Sequence, residues 1–250
     1  MLGALERTLR SAVAMGVVAT DTVAMAPLVI GAATTLGPTH WVVSQLYREF
    51  ARIALTGFGA SVRSEGERSL NPRRRYVFVA NHASNLDALA ILLALPRHGV
   101  RFVAKKELGD VPVFGPALRA TGNVFVERSD TGRDLQTLDA AQKQLLRHIS
   151  VLFFAEGTRS EDGRLRPFKR GAAAFALKAQ LEVVPIGVAG SFEILPPGVE
   201  VRQGGTIGVS IGKPIPTRGR GFDERESLTK ELEDAVRGRV ERARALVRED

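Results

Sequence analysis

The chain has 250 residues, 44% of them hydrophobic, and a formal net charge of +8. A chain of this composition buries a full core and is not globally disordered, and its length suits one compact domain, given roughly 100–200 residues per domain, plus a small appendage. The absence of cysteine excludes disulfides, thiolate catalysis and Cys-based metal sites, while the basic balance favours an anionic partner such as lipid headgroups, a phosphorylated substrate or nucleic acid.

The first segment, Ser11 to Pro38, is apolar and rich in small residues, with Thr20, Asp21 and Thr22 interrupting it and Pro27 and Pro38 punctuating it. The pieces on either side of Asp21 are each shorter than the ~20 apolar residues that a spanning helix needs. The pattern predicts two short helices lying in or dipping into one leaflet. Arg7 and Arg10 ahead of them, and Arg48 and Arg52 behind, are placed to meet phosphates. Two other readings stand beside this one. One is a signal peptide cleaved after Ala24-Met25-Ala26, against which Asp21 and the continuing apolar sequence weigh. The other is a buried helical pair packed on the domain. The expected division is residues 1–48 for the membrane-associated pair and 49–250 for the main domain.

From about Phe58 short apolar runs alternate with helical patterns. Strands are predicted at Ala60–Val62, Tyr76–Ala80, Val100–Ala104, Asn123–Glu127, Val151–Ala155, Val183–Val188 and Thr206–Ile211. Helices are predicted at Asn85–Leu95, Val113–Ala120, Leu135–His148, Gly171–Ala179 and Arg225–Val247. Strands separated by helices imply an α/β fold, a largely parallel sheet flanked by helices. The runs at 76–80 and 151–155 are continuously apolar, as strands buried on both faces are. Pro185 inside a strand-like run points to an edge or a bulge.

The strongest local signal is Asn81-His82-Ala83-Ser84-Asn85-Leu86-Asp87, between a buried strand and an apolar helix. Sites in open α/β sheets gather beyond the carboxyl ends of strands. Asp87 in the first helical turn can accept from one ring nitrogen of His82, leaving the other free to take a proton from a hydroxyl. Ser84-x-x-Asp87 also matches a capping box, and the two roles are compatible. A second strand runs into Glu156-Gly157-Thr158-Arg159-Ser160, where Gly157 allows close backbone approach and Arg159 suits a phosphate. Glu156 reads either as a base or, more simply, as a polar turn residue pairing with Arg159. Arg128 ends a third strand, where a surface position is the plainer reading. Lys169 and Arg170 feed a helix that starts at Gly171, a ready anion site. His40, His98 and His148 read as surface or packing residues. No metal-ligand spacing, Walker loop or dinucleotide fingerprint is present.

Together these segments resemble the glycerophospholipid acyltransferase family, known best from 1-acyl-glycerol-3-phosphate acyltransferases. The resemblance spans about Tyr76 to Gly190. It rests on Asn81-His82-x-Ser84-x-x-Asp87, Gly122-x-x-Phe125-Val126-x-Arg128, Phe154-x-Glu156-Gly157-Thr158-Arg159-Ser160 with Phe168-Lys169-x-Gly171, and Val184-Pro185-Ile186, in that order. It implies His82 as general base oriented by Asp87, and Arg128, Arg159 and Lys169 on the acceptor phosphate. It further implies Glu156, Gly157 and Thr158 in the acceptor pocket, Pro185 in the acyl-donor region and a supporting contact from Lys105. Expected partners are a lysophospholipid acceptor, acyl-CoA or acyl carrier protein as co-substrate, and an anionic membrane surface, with no metal or redox cofactor and no nucleic acid. The expected location is the cytoplasmic face of the inner membrane. The same chemistry on glycerol-3-phosphate, another lysophospholipid or an amino-lipid remains open, as does a non-enzymatic basic membrane-binding protein.

Overall fold

The computed structural model describes residues 2–126 and 149–248. Glu127, Arg128, His148 and the helix predicted at Leu135–His148 lie outside the described residues.

Two helices open the chain, α1 (Leu2–Leu36) and α2 (Trp41–Gly57), packed on each other. The two short helices expected within Ser11–Pro38 are instead one continuous helix, and the helix that pairs with it lies beyond that segment. Asp21 is only 6% exposed and turns inward with Ala14, Ala26, Val29 and Ala33, so the helix continues through it. Pro27 also sits inside α1, which forgoes one backbone hydrogen bond there. Thr34 and Thr35 satisfy their hydroxyls on the carbonyls of Ile30 and Gly31. The stop comes at Gly37, whose φ of +97° suits a glycine after a helix end, with Pro38 following. His40 then starts α2, its Nδ1 accepting from the Val42 amide at 3.3 Å. The boundary expected between residues 48 and 49 falls inside α2, because Tyr47, Ala51, Ala54 and Leu55 form one continuous buried stripe. Because the helix runs through Asp21 unbroken, α1 is, by length and composition, long and apolar enough to cross a membrane, contrary to the expectation of two pieces each too short to span.

Among the described residues the sheet has seven strands: β1 (Ala60–Glu65), β2 (Val77–Ala80), β3 (Val100–Lys105), β4 (Val124–Val126), β5 (Ser150–Phe154), β6 (Val183–Ala189) and β7 (Gly205–Ile211). Their spatial order is β1-β7-β6-β2-β5-β3-β4. Every neighbouring pair is parallel except β6 with β7. The α/β fold with helices on both faces is as expected. Phe78, Ala80 and Leu152 pack under α1, α2 and α3 (Leu86–Ala94). Val77, Val79, Val151 and Phe153 face α5 (Gly171–Ala179) and α7 (Arg225–Arg248). Alternate side chains thus feed opposite cores, which is why these strands carry no polar alternation. Helix α7 buries Leu228, Leu232, Val236, Val240 and Ala243, a stripe at helical spacing. The shorter helices are α4 (Phe114–Ala120) and α6 (Ser191–Ile194).

Pro185 lies in an interior strand rather than an edge. It sits opposite Val79 of β2, and its carbonyl accepts from the Gly212 amide. Between the Ile186–Ile211 pair and the Val183–Ile215 bridge, three residue steps on β6 face four on the other side. The extra residue is a bulge in the segment that follows β7, and it removes the need for a proline N–H at that point.

Candidate active site

Strand β2 delivers the site by stopping at Ala80. Asn81 then extends its grip on β6 through its side chain, Nδ2 donating to the Val188 carbonyl (2.9 Å) and Oδ1 accepting from the Val188 amide (2.8 Å). This clamp closes one side of the turn that carries His82.

His82 is fixed from both ends of its backbone. Its amide donates to Oε1 of Glu156 at 2.6 Å, and its carbonyl accepts from the Ser160 amide at 2.8 Å. Its ring stacks on Phe154, with centroids 3.9 Å apart and planes 15° from parallel. Nδ1 lies 3.0 Å from Oδ2 of Asp87, and 14% of the side chain is exposed. Asp87 is fully buried in the first turn of α3. Its Oδ2 also accepts from the amides of Ala83 (2.7 Å) and Ser84 (2.8 Å), and its Oδ1 accepts from the Ser191 hydroxyl. Every one of these partners can donate, the pattern that suits an ionised carboxylate. A donating Nδ1 leaves Nε2 as the basic nitrogen of a neutral imidazole. Ser84 Oγ accepts from the Leu86 amide at 3.2 Å. The Asp87 side chain thus reaches back to the Ser84 amide, half of the expected capping box, while the same oxygen meets Nδ1 of His82.

Glu156 departs from expectation. It does not pair with Arg159, because its second oxygen, Oε2, accepts from the Arg166 amide at 3.0 Å. The side chain ties the turn before α3 to the loop before α5. Burial pushes its carboxyl up to about 7, against the opposing pull of those two amides. Gly157 adopts φ +77°, and a Cβ there would lie 2.8 Å from Cδ and Cε of Lys169. That close approach brings Lys169 over the Gly157-Thr158 turn. Thr158 is exposed, and Arg159, partly buried, precedes the Ser160 amide that bonds His82. The structure therefore gathers His82, Asp87, Glu156, Gly157, Thr158, Arg159 and Lys169 at one stretch of the rim.

Other expected residues stand apart. Lys105 ends β3, separated from β2 by β5, and pairs with Glu107 at 2.9 Å. Two strand spacings put it about 10 Å across the sheet from β2. Pro185 is buried inside β6, behind the rim. Ser191 was missed by the sequence reading. It lies 104 residues beyond Asp87, on a four-residue helix with no local pattern to mark it. Together with Asn81, Ala83, Phe192 and Gln203 it also lines a cavity of about 440 Å³.

The family model described as Acyltransferase matches residues 61–189. The chain is 40% identical to the chloroplastic 1-acyl-sn-glycerol-3-phosphate acyltransferase BAT2 of Brassica napus, over 56% of this chain and 40% of that one. It is 36% identical to 1-acyl-sn-glycerol-3-phosphate acyltransferase alpha of Ovis aries, over 68% of this chain and 60% of that one. The matched part is thus 40% to 60% of the length of these relatives. The crystal structure of the 1-acyl-sn-glycerophosphate (LPA) acyltransferase PlsC from Thermotoga maritima superposes with a TM-score of 0.82 at 25% identity, over 97% of this chain and 98% of that one.

Proposed function

Because the chain belongs to the acyltransferase family, we propose that it transfers a fatty acyl group from an acyl thioester to the free hydroxyl of 1-acyl-sn-glycerol-3-phosphate, giving phosphatidic acid. The donor is acyl-CoA or an acyl carrier protein thioester, with no metal or redox cofactor. The reaction takes place at the cytoplasmic face of the inner membrane, where α1 and α2 hold the domain.

The observation that carries this reading is His82 with Nδ1 held on Asp87 and its ring partly open. Nε2 takes the proton from the acceptor hydroxyl as that oxygen attacks the thioester carbonyl carbon. The tetrahedral oxyanion collapses, the carbon–sulfur bond breaks, and the imidazolium returns its proton to the departing thiolate. Asp87 holds the ring in the productive tautomer and stabilises the imidazolium. General base catalysis of this kind contributes roughly 10²–10⁴-fold.

Arg159 and Lys169 lie beside the turn that binds the His82 backbone, and their charges suit the acceptor phosphate. Arg128 and Lys105 are proposed to add to that cationic field. Glu156, Gly157 and Thr158 shape the acceptor pocket, and Pro185 belongs to the donor side. Purified protein assayed for thiol release tests the reading, with lysophosphatidate, glycerol-3-phosphate and a phosphate-free monoacylglycerol as acceptors. Thiol release dependent on lysophosphatidate is the expected result; no release with any acceptor contradicts it.

A further inference from the structure

From Lys105, the last residue of β3, a loop that opens with a 3₁₀ turn at Lys106–Asp110 leads to α4, and residues 105–108 and 110–113 are all exposed. Leu108, Val111 and Val113 are 43%, 40% and 41% exposed. Single apolar side chains at a surface are ordinary, but several together on one short loop mark a surface that something covers.

The loop is held so that these side chains stay outward. The Gly115 amide donates to the Val111 carbonyl (2.8 Å), and the Phe114 amide to the Pro112 carbonyl (2.7 Å). The second bond closes a γ-turn on Val113, at φ 67° and ψ −53°. A β-branched residue adopts that conformation only under strain. The Arg119 guanidinium closes on the Gly109 carbonyl, and Phe114 packs on Phe50 of α2 with ring centroids 6.3 Å apart. Strain of this sort persists where the surroundings over-determine it, and it concentrates at functional segments.

The surroundings combine an apolar helix with flanking cations. Helix α4 packs on α1, and from Ser11 to Thr39 the one charged residue of the chain is the inward-facing Asp21. Lys105 and Lys106 lie on the loop itself, and Arg48 and Arg52 on neighbouring α2. The loop's two carboxylates are matched by cations, Glu107 by Lys105 at 2.9 Å and Asp110 by Arg119 at 3.8 Å.

We propose that residues 105–113 form a second membrane contact, with Leu108, Val111 and Val113 entering the boundary between headgroups and acyl chains of an anionic bilayer. The proposal rests on the membrane-surface reading above and deepens it. Strand β3 is parallel to β5, and β5 to β2, so the loop and His82 leave the same edge of the sheet. Lipid bound at the loop sets that edge against the surface holding the acceptor. The apolar side chains, and the contact of adjoining α4 with α1, whose residues 11–36 carry only the inward-facing Asp21 as a charge, favour a bilayer over an acidic carrier protein, which docks chiefly through charge.

The test uses the full chain with its sole tryptophan, Trp41, replaced by phenylalanine and a reporter introduced as Val111→Trp. Vesicles are made of phosphatidylglycerol and phosphatidylethanolamine, with and without brominated acyl chains. Emission that shifts to the blue and is quenched by the brominated lipid is the expected result. Protein bound to vesicles with its reporter unquenched and open to iodide overturns the proposal. So does absence of vesicle binding, or burial of the reporter by self-association or by acyl carrier protein alone. In the native background, Leu108→Asp with Val113→Asp should weaken vesicle partitioning by about tenfold or more. The same variant should leave thiol release with a detergent-dispersed acceptor within about twofold of wild type; unchanged partitioning would also overturn the proposal. Partitioning is read without turnover, so failure of the acyl-transfer reading and failure of this one are distinguishable.

Discussion

The hydroxyl of Ser191 donates to Oδ1 of Asp87, the carboxylate oxygen opposite the one that faces His82. Both residues are almost fully buried, at 1% and 0% exposure. The carboxylate is thus gripped from two sides, by the turn before α3 and by the start of α6. Hydrogen bonds to charged groups are worth about 1.5–3 kcal/mol. Ser191→Ala should therefore lower turnover by roughly tenfold or more, with little change in the apparent acceptor KM. Ser191→Thr, which keeps the hydroxyl, should recover part of the loss. Steady-state kinetics of the two variants check this, and equal activity of Ser191→Ala and wild type would remove Ser191 from the catalytic support.

Glu156 imposes a pH dependence on folding. Its carboxyl is raised to about 7 in the folded protein from an ordinary value of 4.5. Between those two values the folded state binds more protons than the unfolded state, so this residue's contribution to stability falls as pH rises. The contribution is fully present below about pH 4.5 and is lost as pH passes through 7. Urea midpoints for wild type and Glu156→Gln, taken from pH 4.5 to 8, measure the difference. The variant should lack the decline that Glu156 causes, while losing one acceptor for the amides of His82 and Arg166. Identical slopes would contradict the assigned burial effect.

The turn at Gly157 couples backbone conformation to the cation above it. Gly157→Ala places a Cβ against the Lys169 side chain and asks an L-residue to hold φ +77°. The conformational cost alone is about 1–2 kcal/mol. Displacing Lys169 should raise the apparent KM for the phosphate-bearing acceptor more than it lowers turnover. Thermal unfolding with initial-rate kinetics separates the two effects. A variant with wild-type KM would detach Lys169 from acceptor binding.

Much of the fold was legible because burial on both sheet faces leaves continuous apolar runs, as at Tyr76–Ala80 and Val151–Ala155. His82 and Asp87 were legible because five residues of local sequence bring them together. Ser191 was not, since its partner is 104 residues away and a lone serine after glycine carries no pattern. Asp21 misled because an acidic residue in an apolar run reads as an interruption until tertiary packing turns it inward. Pro185 was legible in part: of the two readings its missing donor allows, an edge or a bulge, the ladder takes the bulge. Glu156 was given the wrong partner, since backbone amides from two separate loops reach it before Arg159 does. The antiparallel pairing of β6 with β7 depends on where the chain returns, which strand composition does not encode.

The central claim is that the imidazole of His82, held by Asp87, takes the proton of the attacking hydroxyl. The direct measurement is single-turnover acyl transfer to lysophosphatidate by wild type and His82→Ala, each shown to be folded by circular dichroism and thermal unfolding. A loss of roughly 10²–10⁴-fold in the transfer rate, with the unfolding midpoint retained, is the predicted result. Transfer at the wild-type rate by folded His82→Ala protein would contradict it.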